Sequence, residues 1–151
     1  MSDIGRILLA EDSAADVELT LAALAEHNLV NEVVVVRDGA EALDYLYRRG
    51  AYSERPPGLP AVILLDLKMP KVDGLEVLRS LKGDGGLRRV PVVMLTSSRE
   101  EQDLVESYRL GVNAYVVKPV DFTQFQEAVK QLGMFWAVIN EPPPGSLARG
   151  R

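Results

Sequence analysis

Cysteine is absent from all 151 residues, which removes disulfides, cysteine–zinc sites and thiol nucleophiles together and leaves a reducing cytosol fully acceptable. Histidine occurs once, as His27. It stands near the end of an expected helix, where the dipole favours a cation, and no metal cluster or catalytic dyad can be assembled around it. Long hydrophobic runs are missing too. None approaches the roughly 18 residues of a membrane span, and the opening Met1 to Gly5 has no basic stretch followed by an apolar one; the expectation is a cytoplasmic protein with no membrane partner. Basic residues are outnumbered, 17 Lys and Arg against 22 Asp and Glu, for a net charge of -5 and a pI near 4.9. A broad footprint on nucleic-acid phosphate is therefore not expected. Gly83-Asp84-Gly85-Gly86 is glycine-rich but lacks the Lys-Ser/Thr of a P-loop, so it reads as a flexible connector.

What is present is an ordinary globular composition, 47% hydrophobic and 26% charged, in a length that suits one domain with a real core. Short apolar runs at residues 6–10, 33–36, 61–65, 92–95 and 114–117 are rich in Val, Ile and Leu on both faces, the pattern of buried parallel strands. Helical periodicity separates them. Val17, Leu21 and Leu24 mark a helix over 14–27, with Asp12 or Ser13 able to cap it. Ala42, Leu43, Leu46 and Tyr47 mark a second within 39–49, and the prolines and glycine from Pro56 to Pro60 make the next segment a loop. Further helices are expected over 75–82, over 100–110 with a stop at Gly111, and over 122–139. The alternation βαβαβαβαβα predicts an α/β, doubly wound, five-stranded parallel sheet with helices on both faces. One folded unit is expected over residues 1–141, followed by a disordered Pro/Gly-rich tail over 142–151. That tail is too short for an output module, which predicts signalling through other proteins.

Polar residues close these apolar runs. Glu11-Asp12 follows the first, Asp66 the third, Thr96 the fourth and Lys118 the fifth. In an open parallel sheet all of them meet beyond the carboxyl ends of the strands, where such sheets bind ligands. Glu11, Asp12 and Asp66 gather negative charge that a hard divalent cation would relieve, and oxygen-only ligation favours Mg²⁺ or Mn²⁺ over zinc. Asp66 can then stay ionised and attack a phosphoryl group, while Lys118 and Thr96 share the charge on its oxygens. Taken singly, Asp12 and Asp66 read more readily as helix or turn caps than as ligands, Thr96 as a residue that merely precedes another capped helix and Lys118 as a solvated strand end. Capping does not explain a lysine and a threonine converging with three carboxylates.

These residues, with Asp66-Leu67-Lys68-Met69-Pro70, Asp73-Gly74 and Lys118-Pro119, make the chain resemble the receiver domains of bacterial two-component response regulators over residues 7 to about 132. The resemblance implies a flavodoxin-like (βα)5 fold, with Asp66 as phosphoacceptor for a sensor histidine kinase. It also implies Mg²⁺ ligated by Asp12 and Asp66, by Glu11 through water and by the backbone carbonyl of Lys68. Thr96 and Tyr115 match the switch hydroxyl and switch aromatic. Such a protein is a stoichiometric acceptor that catalyses its own phosphorylation and dephosphorylation, then signals by conformational change, partner docking or onward transfer. The long segment 48–60 and Gly133-Met134-Phe135-Trp136 are similar to single-domain regulators that partner phytochrome-type histidine kinases, although Ser13-Ala14 stands where those relatives often have Asn-Pro. Two rivals are a haloacid-dehalogenase-like phosphohydrolase, which needs an acid where Lys68 stands, and a phosphorylation-independent scaffold, which usually lacks the acceptor or the acidic pair. Ala14, Ala15 and Glu18 are candidate kinase contacts; Ala14 and Ala15 serve equally as simple helix formers. An apolar stripe in the last expected helix, with Met134, Phe135, Trp136 and Val138 near its end, predicts a homodimer.

Overall fold

Residues 5–25, 32–97, 100 and 114–131 are described by the structure, a computed structural model. Five short strands form one sheet: β1 (Ile7–Ala10), β2 (Val33–Val36), β3 (Val62–Asp66), β4 (Val92–Thr96) and β5 (Ala114–Val117), in the order β2-β1-β3-β4-β5. Every pairing is parallel, with Ala10 opposite both Val36 and Leu65, Asp66 opposite Leu95, and Thr96 opposite Val117. The helices are α1 (Ala14–Ala25), α2 (Gly39–Tyr47), α3 (Gly74–Lys82) and α4 (Phe122–Gln131). The expected helix over 100–110 lies outside the described residues apart from Glu100, as do His27, the end of the last helix and the tail.

Alternate strand residues feed two cores. Ile7, Leu9, Leu64, Leu95 and Val116 pack with Val17 and Leu24 of α1 and Phe125 and Val129 of α4. Leu8, Ala10, Ile63, Leu65 and Met94 pack with Ala42 and Leu46 of α2 and Val77, Leu78 and Leu81 of α3. Burying each large aliphatic or aromatic side chain contributes about 1.5–3 kcal/mol, so the central strands, whose hydrophobic residues are almost fully buried on both faces, anchor the structure. No helix among the described residues is long and apolar enough to cross a membrane.

Local signals set the element ends. Ser13, rather than Asp12, caps α1: its Oγ accepts from the Asp16 amide at 3.2 Å and its carbonyl from the Val17 amide. Asp12 is thereby left out of the cap and exposed at the sheet edge. Asp38 and Asp73 cap α2 and α3 through the amides of Glu41 and Glu76. The segment expected as a plain loop after α2 contains a 3-10 turn at Gly50–Tyr52 and is held by Arg55. Its guanidinium lies 4.2 Å from the Tyr45 ring centroid and donates to the carbonyls of Tyr45, Pro56 and Gly58. One arginine thus ties two carbonyls of this largely exposed segment, those of Pro56 and Gly58, to the last turn of α2 through the Tyr45 carbonyl.

Candidate functional site

The sheet order puts β1 and β3 side by side while their connections run to opposite sides, to β2 and to β4. The carboxyl ends of β1 and β3 therefore border a crevice at the switch point of the sheet. Into it come Glu11 and Asp12 from the β1–α1 turn, Asp66 from the last position of β3, and Lys118 from just beyond β5. The Lys118 amide donates to the Thr96 carbonyl at 2.8 Å, which continues the β4–β5 ladder past the strand and sets the lysine beside its neighbours. The Lys118–Pro119 peptide is cis.

Glu11 is fully buried and Asp66 is 4% exposed. A carboxylate oxygen from each of Glu11, Asp12 and Asp66 lies within 4.8 Å of the others. Lys118 Nζ sits 3.2 Å from Glu11 Oε1 and 3.2 Å from Asp66 Oδ1, and Glu11 Oε2 accepts from the Ser13 amide at 3.1 Å. Burial first, and then repulsion from Glu11, push the Asp66 carboxyl up to about 7, with the attraction of Lys118 only partly opposing them. Burial also works against the Lys118 ammonium. The surrounding Asp66, Asp16 and Glu11 outweigh it, so the lysine is held more firmly protonated than a free one. One ammonium facing several buried acids leaves uncompensated negative charge.

That surplus fits a hard divalent cation. Octahedral Mg²⁺ with bonds near 2.0–2.1 Å separates neighbouring ligand oxygens by about 2.9 Å and opposite ones by about 4.1 Å. Oxygens already within 4.8 Å need only small rotations, and exposed Asp12 is free of the helix cap to make them. Thr96 supplies a second sign of ligand chemistry. Its side chain is fully buried and Oγ1 has no hydrogen-bond partner among the described residues, an unfavourable state for a hydroxyl unless something else bonds it. Tyr115 is opposite Met94 and packs at the margin of the α2–α3 core. Thr96, two residues beyond Met94, therefore shares a sheet face with Tyr115. Lys68 is exposed and lines a depression of 330 Å³ with Leu67, Met69, Asp73 and Leu75, directly after Asp66.

Asp16 is a site residue that reading along the chain did not find. Its Oδ2 lies 3.1 Å from Lys118 Nζ. The available signal was positional: an acid in the first turn of the helix that follows Glu11-Asp12 returns toward the strand end.

This geometry matches a known arrangement, and a model of the family described as "response regulator receiver domain" matches residues 7–130. The chain belongs to that family. The receiver is 41% identical over 130 residues to "Response regulator Rcp1" of Synechocystis sp. (strain ATCC 27184 / PCC 6803 / Kazusa), covering 86% of this chain and 87% of that one. Among solved structures it is similar to the bacteriophytochrome response regulator AtBRR, at 65% identity and a TM-score of 0.88, covering 93% of this chain and all of the other. The corresponding values for the bacteriophytochrome response regulator RtBRR are 64% and 0.87, over 95% and 87% of the two chains. A Mn²⁺-bound form of Rcp1 superposes with a TM-score of 0.70 at 36% identity, over 97% and 99%. The receiver is thus a relative of phytochrome-linked response regulators, in a family whose members take up phosphate on an aspartate and bind Mg²⁺ or Mn²⁺.

Proposed function

We propose that Asp66 is the phosphoacceptor of this receiver and that a sensor histidine kinase of the phytochrome type is its donor. The observation that carries this reading is the position of Asp66 at the end of β3, with Lys118 Nζ at 3.2 Å and the carboxylates of Glu11 and Asp12 beside it. In the forward step an Asp66 Oδ attacks phosphorus. The bond from phosphorus to the donor's imidazole nitrogen, or to the acyl oxygen of acetyl phosphate, breaks, and its electron pair leaves with the donor. In the reverse-fate step a water attacks the same phosphorus, the phosphorus–Oδ bond breaks, and inorganic phosphate and the Asp66 carboxylate are restored. Mg²⁺, with Mn²⁺ as a substitute, would be held by Asp12 and Asp66 directly, by Glu11 through water and by the Lys68 carbonyl, and supplies charge neutralisation when bound.

The chain's own residues do the rest. Lys118 donates to a phosphoryl oxygen, and Thr96 turns its buried hydroxyl to another. A phosphoryl group adds about -1.5 to -2 charges, enough to draw Thr96 toward it and let Tyr115, on the same sheet face, move inward. That is a local charge event biasing a two-state element. Output follows through docking on another protein or onward transfer.

Recognition by the kinase belongs beside the site, on the start of α1. Ala14, Ala15 and Glu18 are exposed there, and Leu19 (52% exposed) and Ala22 extend the same face. Small residues let a partner helix approach closely. The similarity to AtBRR and RtBRR supports a phytochrome-type kinase. Homodimerisation through Met134, Phe135, Trp136 and Val138 rests on the sequence pattern, since those residues lie outside the described ones.

Acetyl phosphate with Mg²⁺ should add one phosphoryl group to the wild type and none to Asp66→Asn or in excess EDTA. Asp12→Ala should weaken Mg²⁺ binding itself, whereas Lys118→Ala should leave Mg²⁺ binding largely intact and damage labelling. Undiminished labelling of Asp66→Asn would refute the assignment, and a phosphatase assay turning over small phosphomonoesters would favour the hydrolase reading.

A further inference from the structure

Lys118 is held by one carboxylate that the phosphoryl chemistry does not ask for. An ammonium has three N–H donors. Three carboxylates stand within reach of them, Asp16 Oδ2 at 3.1 Å, Glu11 Oε1 at 3.2 Å and Asp66 Oδ1 at 3.2 Å. Glu11 and Asp66 belong to the cluster that suits a cation, whereas Asp16 stands outside that group of three. It is also well fixed. Its amide is tied to the Ser13 cap at 3.2 Å, and α1 is seated on the sheet by Val17 and Leu24. Lys118, by contrast, follows an edge strand and carries a flexible four-carbon stem. Its side chain is nonetheless only 14% exposed.

We propose that Asp16 is a positioning residue for Lys118, an anchor on α1 that keeps the ammonium aimed at the phosphoryl position once Glu11 and Asp66 are engaged elsewhere. When charge on Glu11 and Asp66 is shared with a cation and Asp66 carries a phosphoryl group, two of the three contacts are redistributed. The Asp16 contact is the one that persists. It occupies one N–H with a fixed acceptor and leaves two for the oxygens on the acceptor side, so the lysine does not swing into water while Glu11 and Asp66 are engaged elsewhere. The proposal rests on the reading of Lys118 as the phosphoryl partner.

The opposite role is equally definite: an Asp16 that competes with the phosphoryl group for the ammonium would restrain labelling, and its removal would accelerate it. Small donors separate the two, because they leave kinase docking on α1 out of the measurement. Asp16→Ala and Asp16→Asn would be made in the wild type and in Lys118→Ala, with folding checked by circular dichroism. Three quantities are then read: the initial rate of labelling by acetyl phosphate, the affinity for beryllofluoride in saturating Mg²⁺, and the affinity for Mg²⁺ alone. Asp16→Ala should lower the labelling rate and beryllofluoride affinity by about 3- to 10-fold, as expected for one charge-assisted contact in a partly exposed site. Asp16→Asn keeps an oxygen acceptor and should recover most of that loss. Mg²⁺ affinity should change by less than about twofold, since the charge removed is screened from the cation by the lysine. In Lys118→Ala the Asp16 substitutions should have no further effect.

A faster or more heavily labelled Asp16→Ala, an equal loss in the Lys118→Ala background, or a loss of Mg²⁺ affinity as large as the loss of labelling would overturn the proposal. An Asp16→Asn as impaired as Asp16→Ala would do the same. Labelling that survives Asp66→Asn would instead overturn the acceptor assignment. If Asp66 is labelled and Lys118→Ala is impaired while Asp16 variants behave as wild type, the anchor alone is wrong.

Discussion

With its carboxyl raised to about 7 by burial and by Glu11, Asp66 couples the metal-free fold to pH. Between the ordinary carboxylate value of 3.8 and about 7 the native state holds more of this proton than the unfolded chain does. Its contribution to stability therefore falls as pH rises through that window and levels off above it, by an amount on the order of a few kcal/mol. Mg²⁺ competes with the same proton, so its affinity should climb from pH 6 to about 7.5 and then flatten. Calorimetric titration across that range, and thermal melts in EDTA, should show both trends in the wild type and lose most of them in Asp66→Asn. A slope unchanged by Asp66→Asn would place the titrating group elsewhere. Glu11, Asp12, Asp66, Thr96 and Lys118 were legible because each ends or follows an apolar run, a place where polar side chains need a reason. Asp16 was not. An acid in a first helical turn already has an explanation in the helix dipole, and its meeting with Lys118 joins residues 102 positions apart.

Between elements, the loop after Asp66 is confined by two glycines. A Cβ on Gly74 would fall 2.3 Å from the Asp66 carbonyl oxygen and 2.8 Å from the Leu67 Cα, and one on Gly39 would fall 1.8 Å from the Val72 carbonyl oxygen. Start of α3, start of α2 and the loop after Asp66 thus share a space that admits no side chain. Gly74→Ala should destabilise the protein by about 1–3 kcal/mol, shifting the urea midpoint, and should slow acetyl phosphate labelling because the displaced backbone carries Asp66. Normal labelling with wild-type stability would mean the loop yields freely. Among the described residues, the strands and the ends of helices that can be compared were readable within a residue or two, since their periodicity is local. The third strand lies one residue further on than its apolar run, starting at Val62 and ending on Asp66 itself, and Ser13 took the cap that Asp12 shared on paper. The order built into residues 48–60 was hidden, because Pro and Gly announce a loop while the Arg55–Tyr45 stack that organises it depends on α2 lying alongside.

For the molecule as a whole, the proposed kinase donor would have to bring its phosphohistidine to Asp66, whereas acetyl phosphate needs no docking surface. Glu18→Lys should accordingly reduce transfer from a cognate histidine kinase roughly tenfold, on the order of one lost charge complementarity at an interface, and leave acetyl phosphate labelling close to wild type. Equal losses in both reactions would locate the effect in the site. Light scattering addresses the dimer: the wild type should exceed monomer mass at high micromolar concentration, and a Phe135→Asp, Trp136→Glu variant should not. A wild type that stays monomeric with and without phosphodonor would refute the interface. The α/β order of the chain was readable from alternating runs, but the sheet order β2-β1-β3-β4-β5, which sets Asp66 between β1 and β4, is a property of the assembled sheet.

The most direct measurement is to locate the phosphoryl group chemically. After labelling with acetyl phosphate and Mg²⁺, borohydride reduction converts an acyl phosphate to a primary alcohol, and peptide mass spectrometry reads which residue carries it. The alcohol should appear at residue 66 alone; its appearance at residue 11 or 12, or phosphate uptake with residue 66 unmodified, would contradict the assignment of Asp66 as the acceptor.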